Sequence, residues 1–134
     1  MPIPLLLTLG LHMAGAVFWL LTSAALGWNG DPAASKVMFR PQMVAATVVV
    51  FSGGGLWSML HSGGFGPREI VLAIGAVLAV AAAGVQGALV GGQVRRLAGA
   101  SPEGDAGRRI LLGQRIAAGL LACALLAMVA ERAV

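Results

Sequence analysis

The sequence is poor in charge. Only 10% of its 134 residues are Asp, Glu, Lys or Arg, against about a quarter in an ordinary soluble domain. That shortage excludes a water-soluble fold for a chain that is 58% hydrophobic and has a mean hydropathy of +0.89. Acidic groups are the scarcest, and Asp31, Glu69, Glu103, Asp105 and Glu131 all fall at predicted loops or helix ends. No paired carboxylate therefore lies inside an apolar run to relay protons. The single cysteine, Cys123, has no partner for an intrachain disulfide and reads as a small apolar packing residue. The chain also lacks a phosphate-binding glycine loop and a nucleophile beside a base, which together with the missing paired carboxylate weighs against a proton-coupled transporter or a hydrolase, so an enzyme is not the first expectation. A sequence pI near 11.2 would suggest nucleic acid in a soluble chain. Here the arginines gather at the ends of apolar runs and act as topology signals, so no nucleic-acid partner is expected.

What the chain has in abundance is hydrocarbon. About 20 helical residues cross a hydrocarbon core of roughly 30 Å, and four runs of that order fit the sequence with short loops between them. The pattern predicts an all-α fold: an integral membrane four-helix bundle, antiparallel and up-down-up-down, occupying 1–134 as one domain. The helices are predicted at about 3–28, 40–61, 67–96 and 106–131. Met1-Pro2-Ile3-Pro4 carries no basic side chain and the run behind it exceeds a signal-peptide core, so it is read as a true first span. Asn29-Gly30-Asp31-Pro32 is a turn cluster, and Pro41 suits a first helical turn, which starts helix 2 near Arg40. Pro67 opens helix 3 by the same logic. A small, polar loop over 97–107 leads to helix 4, with Asp105 as its predicted N-cap and Gln114-Arg115 about two turns in. Arg115 is placed either to snorkel to the interface or to meet an inward polar group.

Helix 3 carries small residues in rows. Gly75, Ala79, Ala83, Gly87 and Gly91 recur at every fourth position, with Gly84, Ala88 and Gly92 beside them. Between helices in lipid, close backbone approach must supply much of the attraction, and small residues permit it. Helix 3 is therefore expected to be the packing hub, and Gln86 the polar side chain that bonds across to a neighbour. The same ridges suit contact with a second copy or a larger membrane complex.

Basic residues set the orientation. Lys36, Arg40, Arg95, Arg96, Arg108 and Arg109 lie on the face of loops 1 and 3, whereas Arg68 and Arg132 lie on the other. Cytoplasmic ends carry the excess of lysine and arginine. In a bacterial inner membrane both termini are then periplasmic.

The candidate site is a histidine face in the outer half. His12 is an ionisable group inside an apolar run, which makes a functional role the first hypothesis. At helical spacing it shares a face with Gly15 or Ala16 and with Trp19. His61, at the end of helix 2, falls in the same half of the bilayer and sits one turn from Trp57 on one face. His12, His61, Trp19 and Trp57 are the candidate cofactor-binding residues. Met13 and Met59 map to the same half and join the two histidines as candidate soft-metal ligands. The alternatives stay open: His12 as an imidazole bonded to a helix carbonyl or a polar side chain, His61 as a solvated boundary residue, and the methionines as filling.

Several short stretches resemble the copper-resistance protein D family. They are Leu11-His12 with Trp19, Gly55-Leu56-Trp57-Ser58-Met59-Leu60 followed by Gly63-Gly64-Phe65, Arg95-Arg96-Leu97, and Met128-Val129-Ala130-Glu131-Arg132. Through the helix 1 histidine the chain is similar, more distantly, to the four-helix haem-binding protoporphyrinogen oxidase family. The resemblance implies a bacterial inner-membrane bundle associated with copper or haem b. Where that superfamily follows the helix 1 tryptophan with paired glycines, this chain has Leu20-Leu21-Thr22, so only His12 and Trp19 carry over. Two functions stand as expectations: a small copper- or haem-associated protein, or a non-catalytic accessory subunit of a larger membrane assembly.

Overall fold

The computed structural model describes residues 2–30, 32–96 and 104–134. Four helices account for nearly all of them: α1 (Ile3–Asn29), α2 (Pro32–Leu60), α3 (Pro67–Arg96) and α4 (Gly104–Ala130), the last closed by a 3-10 turn at Glu131–Ala133. All four are long and apolar enough to cross a membrane, and they form the antiparallel bundle expected. α1 packs most extensively on α2 and α4, while α3 packs on α4 and, less extensively, on α2. Asp31 of the predicted first turn and residues 97–103 of the predicted third loop, including Ser101-Pro102-Glu103, lie outside the described residues.

The helix starts obey the proline logic only in part. Pro67 does stand in the first turn of α3, where the Glu69 carboxylate accepts a hydrogen bond from the Gly66 N–H at 2.9 Å. α2, however, begins at Pro32 rather than near Arg40, leaving Pro41 inside the helix. Pro41 withholds a hydrogen bond from the carbonyl four residues earlier. Packing outweighs that loss: Ser35 is fully buried, and Phe39 lays its ring on Gly91, where a Cβ would come within 2.5 Å of Phe39 Cζ. α1 ends on Gly30, whose φ of 68° provides the left-handed cap that glycine adopts without strain. Asp105 is not an N-cap but lies inside the first turn of α4, paired with Arg108.

α3 is not uniformly α-helical. Gln86–Gly91 forms a π-helical turn before the final α-turn Gly92–Arg96. A π turn accommodates one extra residue and so rotates the last part of the helix relative to the first. Here Gln86, Val90 and Gly91 all end buried. Val90 packs on α4 at Gly113, where a Cβ would stand 2.9 Å from Leu89 Cβ and 3.0 Å from Val90 Cγ2.

The core contains one large side chain among small ones. Trp19 is fully buried against Ala45, Ala46 and Val49 of α2, Ala79 and Ala82 of α3, and Ala117, Leu121 and Ala124 of α4. Alanines on three helices leave the space that one indole fills. α4, rather than α3, is the packing hub: 39% of its apolar stretch is buried, against 22% for α3 and 11% for α1. The large side chains left outside, such as Phe51, Val77 and Leu126, point where lipid would be.

Candidate functional site

Two polar clusters sit inside this apolar frame. The first joins all four helices. The Trp19 indole N–H donates to Gln86 Oε1 at 2.6 Å, and Gln86 Nε2 donates to Gln114 Oε1 at 2.7 Å and to Ser23 Oγ at 3.2 Å. Gln42 Nε2 donates to Gln114 Oε1 at 3.1 Å, and Gln114 Nε2 returns a bond to Gln42 Oε1 at 3.0 Å. Ser23 and Thr22 accept further contacts from Gln42 Nε2, at 3.3 and 3.2 Å. Gln42, Gln86, Gln114, Ser23 and Trp19 are all fully buried. A buried amide without partners costs about 1–3 kcal/mol, so Gln114 holds both Gln42 and Gln86 in place.

This amide cluster lies toward the end of the bundle that carries loops 1 and 3. Arg40 and Arg115 are exposed, and they stand within one helical turn of Gln42 and Gln114. From Arg40 to Leu60 the helix rises about 30 Å, which is one hydrocarbon thickness. Arg115 does not reach Gln86; its Nε donates to the Gly27 carbonyl at 2.7 Å, satisfying one of the acceptors left free in the last turn of α1.

The second cluster is the histidine face. His12 is 7% exposed. Its Nδ1 lies 3.1 Å from the Val49 carbonyl and 3.1 Å from Ser52 Oγ, whose own hydroxyl donates to the Val48 carbonyl. A carbonyl only accepts, so in the neutral ring Nδ1 carries the proton and Nε2 the lone pair. Nε2 has no hydrogen-bond partner among the described residues. The ring is packed against Gly53, where a Cβ would stand 3.1 Å from His12 Cε1.

The other candidates are distributed differently. Trp19 aims its indole N–H into the amide cluster, at Gln86, rather than toward His12. Trp57 and His61 are brought together, their rings stacked with centroids 4.8 Å apart, and Phe65 lies 6.1 Å from Trp57. His61 Nε2 is 3.8 Å from Glu69 Oε1, while its buried Nδ1 has no hydrogen-bond partner among the described residues. His12 contacts α2 at Val49, Ser52 and Gly53, so His61 lies about 12 Å further along that helix. Met13 and Met59 are 48% and 52% exposed, on the outside of the bundle.

The fit to a metal or haem is decided by these positions. For copper, the two imidazoles and two thioethers do not converge, and no group of three His, Cys, Asp or Glu that would hold a metal occurs among the described residues. For haem, His12 Nε2 would be one nitrogen donor on offer, but α2 packs directly on its ring. Two concavities, of about 560 and 310 Å³, open outward.

Sequence reasoning picks out Gln86 but misses Gln114 and Ser23 as its partners, and Gln42 beyond them. The available signal is three glutamines, each within an apolar run, which in a membrane must find partners. No family model, curated protein or solved structure matches the chain. What stands on structure alone is a small four-helix membrane protein with an amide-locked interior.

Proposed function

We propose that this chain is a non-catalytic accessory subunit of a larger membrane assembly, docking through α3. One observation carries the reading: the two small-residue rows of α3 have separate uses. Gly75, Ala79 and Gly91 are buried inside the bundle, whereas Gly84 and Ala88 are exposed on the outside, with nothing within 4 Å of a Cβ built on Gly84. The three interior amides are spent on one another and on their neighbours, so this outward row is where close helix approach is still available. The positive-inside pattern supports an inner-membrane placement with loops 1 and 3 cytoplasmic and both termini periplasmic.

The test is in-membrane crosslinking followed by native mass spectrometry in mild detergent. The expected result is an assembly heavier than the 13.5 kDa single chain, lost in Gly84→Leu/Ala88→Leu with the melting temperature unchanged. A lone 13.5 kDa species, still carrying lipid, overturns the proposal.

A second reading, haem association through His12, has its own supporting observation. An imidazole whose Nδ1–H is held by a backbone carbonyl presents Nε2 in the orientation that ligating histidines use. A reduced-minus-oxidised visible spectrum with metal analysis decides it. A haem band absent from His12→Ala supports this reading, and a colourless, metal-free wild type removes it.

A further inference from the structure

We propose that the outward groove between α1 and α2 is a binding site for one anionic phospholipid, its acyl chain along the groove and its phosphate at Arg40. The groove has a volume of about 560 Å³ and is walled by Leu11, Gly15 and Phe18 on one side and Val44 and Val48 on the other, with Arg40 at one end. It exists because Ala14, Gly15 and Ala45 are small where the two helices meet. Its size is within the range of ordinary ligand sites, roughly 300–1,000 Å³, but it offers almost no polar surface, which suits a hydrocarbon chain.

Arg40 supplies the second half of the argument. It is exposed and has no ion-pair partner among the described residues. The three described carboxylates are engaged elsewhere: Glu69 near His61, Glu131 with Arg68, and Asp105 with Arg108. Arg40 lies about 12 Å inside the start of α2 at Pro32, from where a long side chain snorkels to the headgroup phosphates of the leaflet bordering loops 1 and 3. A guanidinium fork matches phosphate geometry. From Arg40 to Val48 the groove runs about 12 Å straight toward the bilayer centre, the path an acyl chain takes from its headgroup.

An apolar helix from a second copy fits the groove less well. It would cover Arg40 with hydrocarbon, leaving a buried charge without a counter-ion. A phospholipid brings that counter-ion with it. The site lies on α1 and α2, so it does not depend on α3 meeting a partner.

Native mass spectrometry of the delipidated full chain tests this, titrating phosphatidylglycerol against phosphatidylcholine with the same acyl chains. The expected result is a preference of roughly fivefold for phosphatidylglycerol, the value of one basic side chain at an anionic surface. Arg40→Gln should abolish the preference and Arg95→Gln should keep it. Ala14→Phe, which fills the groove from an exposed position, should weaken both lipids. Equal preference in wild type and Arg40→Gln overturns the site. So does a dimer mass that Ala14→Phe removes while lipid binding is unchanged, because the occupant is then a second copy.

Discussion

Gln42 and Gln114 exchange hydrogen bonds across the bundle, Nε2 to Oε1 in both directions at 3.1 and 3.0 Å. This reciprocal amide pair ties α2 to α4, and Gln86 joins it through the same Gln114 oxygen at 2.7 Å. The three side chains therefore behave as one unit.

Gln114→Leu is the most damaging single change within that unit. It strips an acceptor from both Gln42 and Gln86 and the donor from Gln42 Oε1, so the expected loss is about 2 kcal/mol, read by denaturant titration in detergent. The triple change Gln42→Leu/Gln86→Leu/Gln114→Leu should lose clearly less than the sum of the three singles, because fewer orphans remain. Simple additivity would show that the amides act independently.

The glycines of α3 are not equivalent. Gly91 lies under the Phe39 ring, whereas Gly87 has nothing within 4 Å of a built Cβ. Gly91→Val should cost about 2 kcal/mol by overpacking, with part recovered by Phe39→Leu in the same chain. Gly87→Ala should be neutral or stabilising, since it removes backbone freedom without a clash. Thermal melts of the three variants separate these outcomes. Equal losses at the two glycines would refute the packing described.

Some of this architecture is readable from the residues and some is not. Apolar length and turn residues mark α1, the start of α3 and the bundle class, because those depend on local signals. The start of α2 is misplaced from sequence because Pro32 and Pro41 both suit a first turn, and only Phe39 packing on Gly91 decides between them. The π turn at Gln86–Gly91 leaves no local mark, since it arises from side chains that must face inward together. Gln86 is identifiable as a lone amide in an apolar run, but its bond to Trp19 depends on a diagonal neighbour that spacing cannot specify. The same holds for the histidine face: spacing puts His12 and Trp19 on one side of α1, yet the indole turns to Gln86 while the imidazole turns to Val49.

Gly27 and Arg115 form a second close approach. A Cβ on Gly27 would come within 2.9 Å of Arg115 Cγ and 3.1 Å of its backbone nitrogen. The backbone atom cannot yield as a flexible side chain does, so Gly27→Val should push α1 from α4 and lower the melting temperature by several degrees. Arg115→Gln should cost less, because the Gly27 carbonyl lies near the interface where water can replace the guanidinium. If both variants melt alike, the hydrogen bond rather than the steric contact holds the pair together.

His12 separates a structural imidazole from a ligating one. Ser52 donates to the Val48 carbonyl, and as an acceptor it tolerates loss of the His12 N–H. The Val49 carbonyl belongs to a continuous helix, so removing His12 strands no buried donor. His12→Leu, close in volume and apolar, should therefore leave stability within about 1 kcal/mol of wild type. If His12 serves only packing, His12→Leu should also leave the visible spectrum, the metal content and the assembly mass unchanged. If Nε2 holds a haem, the same stable variant should lose its absorbance band while keeping its fold. The comparison is clean because the substitution tests the lone pair without opening a cavity, and a loss of several kcal/mol in a colourless protein would contradict the hydrogen-bond assignment at Nδ1.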